Sequence, residues 1–154
     1  QMEHEELEAV LAHEIGHYKR GHVPKRLALS ALLGLFGFWF IAYLTEAKWF
    51  FDASTGLGFA LEAHGRLGPV FLVVSVASGV FTFWLSPLGS ILSRKHEYEA
   101  DAFARDAVGG PDSLVSALKK LHVENLSNPL PHPLFAAVYL SHPTLPEREK
   151  ALRA

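Results

Sequence analysis

Two long runs of apolar residues dominate the pattern of hydrophobic and polar positions along the chain. The first extends from Leu27 to Thr45 and the second from Leu67 to Ser93, and neither contains Asp, Glu, Lys or Arg. As a helix the first run is about 28 Å long, close to the hydrocarbon thickness of a bilayer. Each central charge would cost about 2.5–3.5 kcal/mol on insertion, so two uncharged runs predict membrane helices. The alternative, two core helices of a soluble protein, suits a chain this short poorly.

The remaining segments show the spacing of amphipathic helices rather than the alternation of strands. Three such helices are predicted, over about 3–21, 92–108 and 112–126. Thr144 and Glu147 have the spacing of a capping box, which predicts a short final helix. The proline-rich stretch from Asn128 to Pro133 is predicted to be non-helical. The predicted class is therefore all-α.

The composition supports the prediction of membrane helices and argues against several classes of function. Of 154 residues, 49% are hydrophobic and only 19% are charged, and the mean hydropathy is +0.16. Fourteen basic against 16 acidic residues give a net charge of −2, which argues against a nucleic-acid partner. The absence of cysteine excludes disulfides, thiolate metal sites and a cysteine nucleophile. Nine histidines are the obvious metal ligands.

The distribution of basic residues predicts the orientation of the two membrane helices. The connector, residues 46–66, carries three acidic and two basic side chains. The outer flanks are basic, through Lys19, Arg20, Lys25 and Arg26 before the first run and Arg94 and Lys95 after the second. By the positive-inside rule both flanks are expected on the cytoplasmic side, with the connector across the membrane.

The sharpest chemical signal is the sequence His13-Glu14-Ile15-Gly16-His17. Histidines at i and i+4 lie on one helical face, so both imidazoles can reach one cation, with the glutamate beside them. Zinc suits two imidazoles, an open position for water and a carboxylate that takes the proton of that water. Two solvated histidines on a surface helix are the alternative.

This chain lacks a third zinc ligand at the positions used by two other classes of HExxH protease. A metzincin would have Gly and His where this chain has Arg20 and Val23, and a soluble gluzincin would have Glu near Phe36-Gly37. Glu62 and His64 lie on the connector, about 30 Å away across the expected bilayer, and are poor candidates.

The helix predicted beyond the second apolar run offers better carboxylates. Glu97 and Asp101 are i,i+4 neighbours on one face, whereas Glu99 points about 200° away from Glu97. One of the two carboxylates on the shared face can bind metal while the other orients a histidine ligand. A solvated face with salt bridges to Arg94 and Arg105 is the alternative.

Three blocks of the chain resemble the integral-membrane zinc metalloproteases related to CAAX prenyl protease 1, with HtpX-type proteases as more distant relatives. They are the HExxH helix with its trailing Gly-His, a Glu-aromatic-x-Ala-Asp pattern, and a Ser-His-Pro block with Arg six residues after its His. In this chain they occupy Leu11–His22, Ser93–Ala104 and Ser141–Arg148.

The resemblance implies one zinc ion held by His13, His17 and Glu97. Glu14 would be the general base that activates the zinc-bound water and returns the proton to the leaving amine.

The resemblance also implies supporting roles around the metal. Asp101 would orient a histidine ligand, and His142 would stabilise the developing oxyanion. Arg148 would support that end of the site.

The fold implied by the resemblance is an all-α, gluzincin-type membrane protease core with a transmembrane hairpin inserted between the HExxH helix and the third-ligand helix. Residues 1–24 would carry the HExxH helix, and residues 25–93 the hairpin, with spans at about 27–45 and 68–92. Residues 94–154 would form the rest of the core. The chain is expected to be part of a longer membrane protein, since whole family members carry further membrane helices upstream that complete the substrate chamber.

The function expected from these features is that of a zinc metalloendopeptidase (EC 3.4.24 type) of the CAAX prenyl protease 1 kind. Its partners would be the bilayer and a peptide or protein substrate, with a prenylated C-terminal peptide among the candidates. The site would face the cytoplasm, in a bacterial or endoplasmic reticulum membrane according to the source. The segment from Asn125 to Pro133 favours this branch.

Two alternatives to this function stay open. One is an HtpX-like protease for quality control of membrane proteins. The other is a non-catalytic membrane scaffold with a vestigial metal site, against which the intact Glu14 argues.

Overall fold

A computed structural model describes residues 2–51, 65–125, 128 and 131–154. Helices account for all regular elements of these residues, with no strand among them, which confirms the all-α prediction. The elements are α1 (His4–Lys19), α2 (His22–Glu46), a 3-10 turn (Lys48–Phe51), α3 (Leu67–Val108), α4 (Asp112–Glu124), α5 (Pro133–Tyr139) and α6 (Leu145–Arg153). Asp52, Glu62 and His64, considered from the sequence, lie outside the described residues.

Local capping chemistry sets the first turn of two helices. The Glu3 amide donates to Glu6 Oε2 at 2.7 Å ahead of α1, and the Thr144 amide donates to Glu147 Oε2 at 2.7 Å ahead of α6. Each bond satisfies an amide that the helix itself leaves without a partner. The capping box predicted for the final helix is confirmed.

Two sequence predictions about helix boundaries are wrong. The second apolar run and the polar segment after it form one helix, α3, which continues through Pro87. The polar segment is rich in Arg, Lys, Glu and Ala, which all have high helix propensity. The change from apolar to polar residues therefore changes which environment the surface suits, but it does not end the helix. Residues 128, 131 and 132 are non-helical as expected, but α5 begins at Pro133, where proline is compatible with a first turn.

The chain divides into two compact units, one of residues 1–25 and 86–154 and the other of residues 26–85. The core of the first unit is built largely from small side chains, which let its helices approach closely. Its members are Ala9, Ala12, Ala104, Leu114, Val115 and Leu152. Gly16 on α1 lies against Ala100 on α3, where a Cβ atom would come within 3.1 Å of the Ala100 backbone. The first unit therefore holds the HExxH helix and the Glu97 helix in close contact.

The described helices of the second unit carry long apolar surfaces. A small cluster of Leu44, Ala47, Phe50 and Val70 joins the end of α2 to the start of α3. Within each of these helices, the most apolar stretch is only 6% buried. A core helix of a soluble protein would be mostly buried, so these surfaces suit a hydrocarbon environment. By length and composition both helices can cross a membrane.

Candidate metal centre

The two histidines of the HExxH motif and Glu97 converge on one point in the first unit. His13 Nε2 and His17 Nε2 are 3.1 Å apart. Glu97 Oε2 lies 3.7 Å from His13 Nε2, and Glu97 Oε1 lies 3.5 Å from His17 Nε2. One ligand atom from each residue lies within 4.8 Å of the others. The i,i+4 spacing on α1 supplies the histidine pair, and the contact between Gly16 and Ala100 brings Glu97 to it.

This donor set fits a zinc ion. Tetrahedral ligands at about 2.0–2.1 Å from zinc lie roughly 3.3 Å from one another, and the three distances above, which involve both oxygens of Glu97, are of similar size. Two imidazoles and a carboxylate are also the chemistry of a catalytic site with one open position. Burial lowers the pKa of His17, and His13 and His22 lower it further against the opposing effect of Glu97 and Glu14. A lower pKa favours the neutral imidazole, which is the form that binds metal.

Asp101 anchors His13 from the side opposite the convergence point. Its Oδ1 atom lies 2.9 Å from His13 Nδ1, and the residue is only 2% exposed. Arg148 donates to both carboxylate oxygens, with 2.8 Å from Nε to Oδ2 and a second bond from Nη2 to Oδ1. Such a bidentate pair fixes the carboxylate, which places a negative charge beside the His13 ring.

The Ser-His-Pro block reaches the same carboxylate as the histidine pair. His142 Nδ1 lies 3.2 Å from Glu97 Oε1, and 66% of its side chain is exposed. Arg148 Nη1 lies 3.6 Å from Glu97 Oε2. His142 thus combines a position beside the candidate ligand with access from outside.

Glu14 lies on the exposed side of α1. One residue turns a helix by about 100°, so Glu14 is about 100° from His13 and about 60° from His17 around the axis. Glu14 is therefore on the solvent-exposed face of the helix, nearer to His17 than to His13 around the axis.

A cavity of about 670 Å³ extends from His142 and Arg148 between α4 and α5. Its apolar lining includes Leu118, Phe135 and Tyr139. An apolar cavity with a few polar groups at one end is typical of a binding site for an organic ligand.

Sequence reasoning missed one histidine of this region, His22. Gly21, with a φ of 66°, makes the turn between α1 and α2, a backbone conformation that glycine adopts without strain. The turn brings His22 Nδ1 to 2.9 Å from His17 Nδ1. His22 Nε2 lies 3.0 Å from Glu99 Oε2, so Glu99, which helical spacing points away from Glu97, contacts a buried side chain. The Gly-His pair directly after the motif was the available signal.

Comparison with known proteins gives consistent family matches. The model of Peptidase family M48 matches residues 1–154. The CAAX prenyl protease 1 homolog of Homo sapiens is 37% identical over 152 residues, covering 97% of this chain and 30% of that protein. CAAX prenyl protease 1 of Saccharomyces cerevisiae is 34% identical over 160 residues, covering 96% of this chain and 34% of that protein. A Protease HtpX homolog of Limosilactobacillus fermentum is 31% identical over 160 residues, covering 98% of this chain and 49% of that protein.

A solved structure has a similar fold. The crystal structure of S. mikatae Ste24p superimposes with a TM-score of 0.76 at 31% identity, covering 96% of this chain and 35% of that chain. The chain thus spans about a third of the length of the CAAX protease relatives that it matches.

Proposed function

This chain belongs to peptidase family M48, and we propose that it carries the zinc site and catalytic residues of a membrane endopeptidase of the CAAX prenyl protease 1 type. The observation that carries the proposal is the convergence of ligand atoms from His13, His17 and Glu97 within 4.8 Å. These three residues would hold one zinc ion.

Bound zinc would supply Lewis-acid chemistry, polarising water and the scissile carbonyl. The protein's own residues carry out the proton transfers. Glu14 accepts a proton from the attacking water and delivers it to the leaving nitrogen as the C–N bond breaks. His142 donates a hydrogen bond to the carbonyl oxygen as negative charge develops there. Its exposure and its 3.2 Å distance from Glu97 support this role.

Asp101 and Arg148 act on orientation rather than on the peptide. Asp101 holds the ring of His13 so that its Nε2 lone pair faces the convergence point. Arg148 holds Asp101 by two hydrogen bonds.

The substrate we propose is a peptide, with a prenylated C-terminal peptide as the first candidate. The names of the relatives at 37% and 34% identity support this choice, as does the apolar cavity beside His142. The HtpX relative at 31% identity supports the second candidate, an HtpX-like protease. Both candidates use the same residues and differ in what the substrate chamber accepts.

We further propose that residues 25–93 form a transmembrane hairpin between the two ligand-bearing segments, which are α1 and the C-terminal part of α3, with both flanks on the cytoplasmic side. The low burial of the apolar stretches in α2 and α3 supports it. Because the chain has no cysteine, single cysteines at Lys48 and Asp106 can be labelled cleanly. Labelling of Asp106→Cys from the cytoplasm and of Lys48→Cys from the opposite side is expected. Labelling of both from one side would contradict the topology.

Hydrolysis of prenylated and unprenylated peptides by the whole protein tests the enzymatic proposal. A chelator should abolish cleavage and zinc should restore it. Glu14→Gln should retain zinc but lose about 10²–10⁴-fold in kcat, because the amide keeps the shape but removes the base. Glu8→Gln, an exposed glutamate on the same helix, is the matched control. Near-normal cleavage by Glu14→Gln would contradict the mechanism, and equal cleavage of both peptides would favour the HtpX-like candidate.

A further inference from the structure

His22 is a buried polar side chain to which the mechanism assigns no role. It is 2% exposed, and both of its ring nitrogens have close polar contacts. Nδ1 lies 2.9 Å from His17 Nδ1, and Nε2 lies 3.0 Å from Glu99 Oε2. Its ring is also stacked on His96, with centroids 4.0 Å apart and planes inclined by 11°. The ring is therefore held in both position and plane.

The chemistry of the partners determines where the protons lie. An ionised carboxylate only accepts hydrogen bonds, so His22 Nε2 must carry the proton that Glu99 accepts. In a neutral His22 the Nδ1 atom is then an acceptor, and His17 Nδ1 must be the donor. A neutral His17 that is protonated at Nδ1 has its lone pair on Nε2.

That lone pair points toward the candidate metal position. His13 is expected in the same state, because the Asp101 carboxylate lies 2.9 Å from its Nδ1 atom and a negative charge there favours the proton on Nδ1, although the two atoms are not aligned for a hydrogen bond. Two Nε2 lone pairs then face each other at 3.1 Å beside the Glu97 carboxylate. Such an arrangement of three acceptors is favourable only around a cation.

We propose that His22 and Glu99 form a positioning relay that holds His17 in the tautomer whose Nε2 atom accepts the cation. The relay rests on the proposed zinc site and extends it to a residue outside the ligand set. Glu99 directs His22, and His22 directs His17. With the proton on His22 Nδ1 instead, His17 would carry its proton on Nε2, where it blocks the cation.

Zinc affinity, measured by chelator competition at one fixed pH, tests the relay in the whole purified protein. His22→Leu keeps an apolar side chain against His96 but removes the acceptor, and we expect about a 10–100-fold loss of zinc affinity. His22→Asn replaces Nδ1 by an amide oxygen at nearly the same place, so most of the loss should be recovered. His4→Leu, at an exposed histidine on α1, is the matched control and should bind zinc like the wild type.

A second variant and a second signal separate positioning from simple damage to the fold. Glu99 is 34% exposed, so Glu99→Leu removes the start of the relay near the surface, and a loss of affinity smaller than that of His22→Leu is expected. The visible spectrum of the cobalt-loaded protein should change in His22→Leu and return toward the wild-type form in His22→Asn, since it reports on coordination.

The outcomes distinguish this inference from the proposed function. Wild-type protein that binds no zinc would overturn both. Wild-type binding with unchanged affinity and cobalt spectrum in His22→Leu and Glu99→Leu would overturn the relay alone. Equal losses in His22→Leu and His22→Asn would also overturn it, because a restored acceptor would then have no effect.

Discussion

The two histidines of the HExxH motif are supported in different ways on the two sides of the site. The His13 side consists of His13, Asp101 and Arg148, and one buried carboxylate contacts the imidazole directly at 2.9 Å. On the His17 side, made of His17, His22 and Glu99, a second imidazole stands between the ligand and its carboxylate. The carboxylate of Asp101 is 2% exposed, whereas that of Glu99 is 34% exposed.

The difference between the two sides shows that the orientation of a histidine ligand can be fixed in two structural ways. Each ligand needs its Nδ1 proton fixed, so that Nε2 is free for the cation. The His13 side meets the requirement with a buried ion pair, which is costly to disturb because an unpaired buried charge is left behind. The His17 side meets it with a relay that ends at the partly exposed Glu99. Loss of that charge costs less there, because water can solvate the groups left without a partner. Equivalent substitutions should therefore have unequal effects.

Removing the carboxylate charge on the His13 side is expected to have a larger effect than removing the carboxylate charge on the His17 side. Asp101→Asn should lower zinc affinity by about 10–100-fold and destabilise the protein by about 1–3 kcal/mol, because the partly buried Arg148 loses the nearer of its two carboxylate partners and keeps only Glu97 at 3.6 Å. Zinc competition and thermal unfolding measure the two effects. Asp106→Asn, an exposed aspartate on the same helix, is the control. An effect on zinc smaller than that of Glu99→Leu would reverse the ranking of the two sides.

A change that affects both sides equally is the addition of a methyl group at Gly16. The new Cβ atom would lie 3.1 Å from the Ala100 backbone and 3.2 Å from Phe103 Cβ, so α1 and α3 must move apart. Overpacking costs about 1–3 kcal/mol, while alanine gains about 0.5–1 kcal/mol of helix propensity over glycine. A net loss of about 1 kcal/mol is expected for Gly16→Ala, with weaker zinc binding.

Gly34→Ala gives the matched comparison for this helical position. Its Cβ atom would meet nothing within 4 Å, so only the propensity gain remains. A Gly16→Ala protein as stable and as zinc-competent as the wild type would contradict the close contact of the two helices.

The smallest effect on zinc binding is expected at Glu6, which lies outside both sides of the site. This buried carboxylate accepts hydrogen bonds from Lys120, Ser116 and the Glu3 amide. These bonds, that of Lys120 foremost, lower its pKa from 4.5 to about 2. A carboxyl group whose pKa is lowered by folding stabilises the fold at pH values above its ordinary pKa. This contribution is lost as the pH falls through the folded-state pKa.

Glu6→Gln should therefore reduce the unfolding temperature at neutral pH and approach the wild type between about pH 4.5 and pH 2. Glu5→Gln, at the exposed neighbouring position, should follow the wild type throughout. A difference in unfolding temperature between Glu6→Gln and the wild type that grows toward low pH would contradict the lowered pKa of Glu6.

Local sequence patterns predicted most of the site, and non-local contacts account for what was missed. The His13 and His17 pair and the Glu97 and Asp101 pair follow from i,i+4 spacing within a single helix. His22 and Glu99 are 77 residues apart, and their contact depends on the turn at Gly21 and on the packing of α1 against α3. Residues 128–133 contain three prolines, so the segment was predicted to be non-helical and helix α5 was missed. The helix begins at the last of these prolines, Pro133.

The zinc content of two single variants shows whether Glu97 is the third ligand, because Glu97 and Glu99 are two residues apart on the same helix. Purified Glu97→Gln and Glu99→Gln proteins would be dialysed against a mild chelator beside the wild type. We expect Glu97→Gln to lose zinc, since a ligand is removed. Glu99→Gln should keep nearly all of it, because the amide oxygen still accepts the proton of His22 Nε2. Retention of zinc by Glu97→Gln, or loss of zinc from Glu99→Gln alone, would contradict the account.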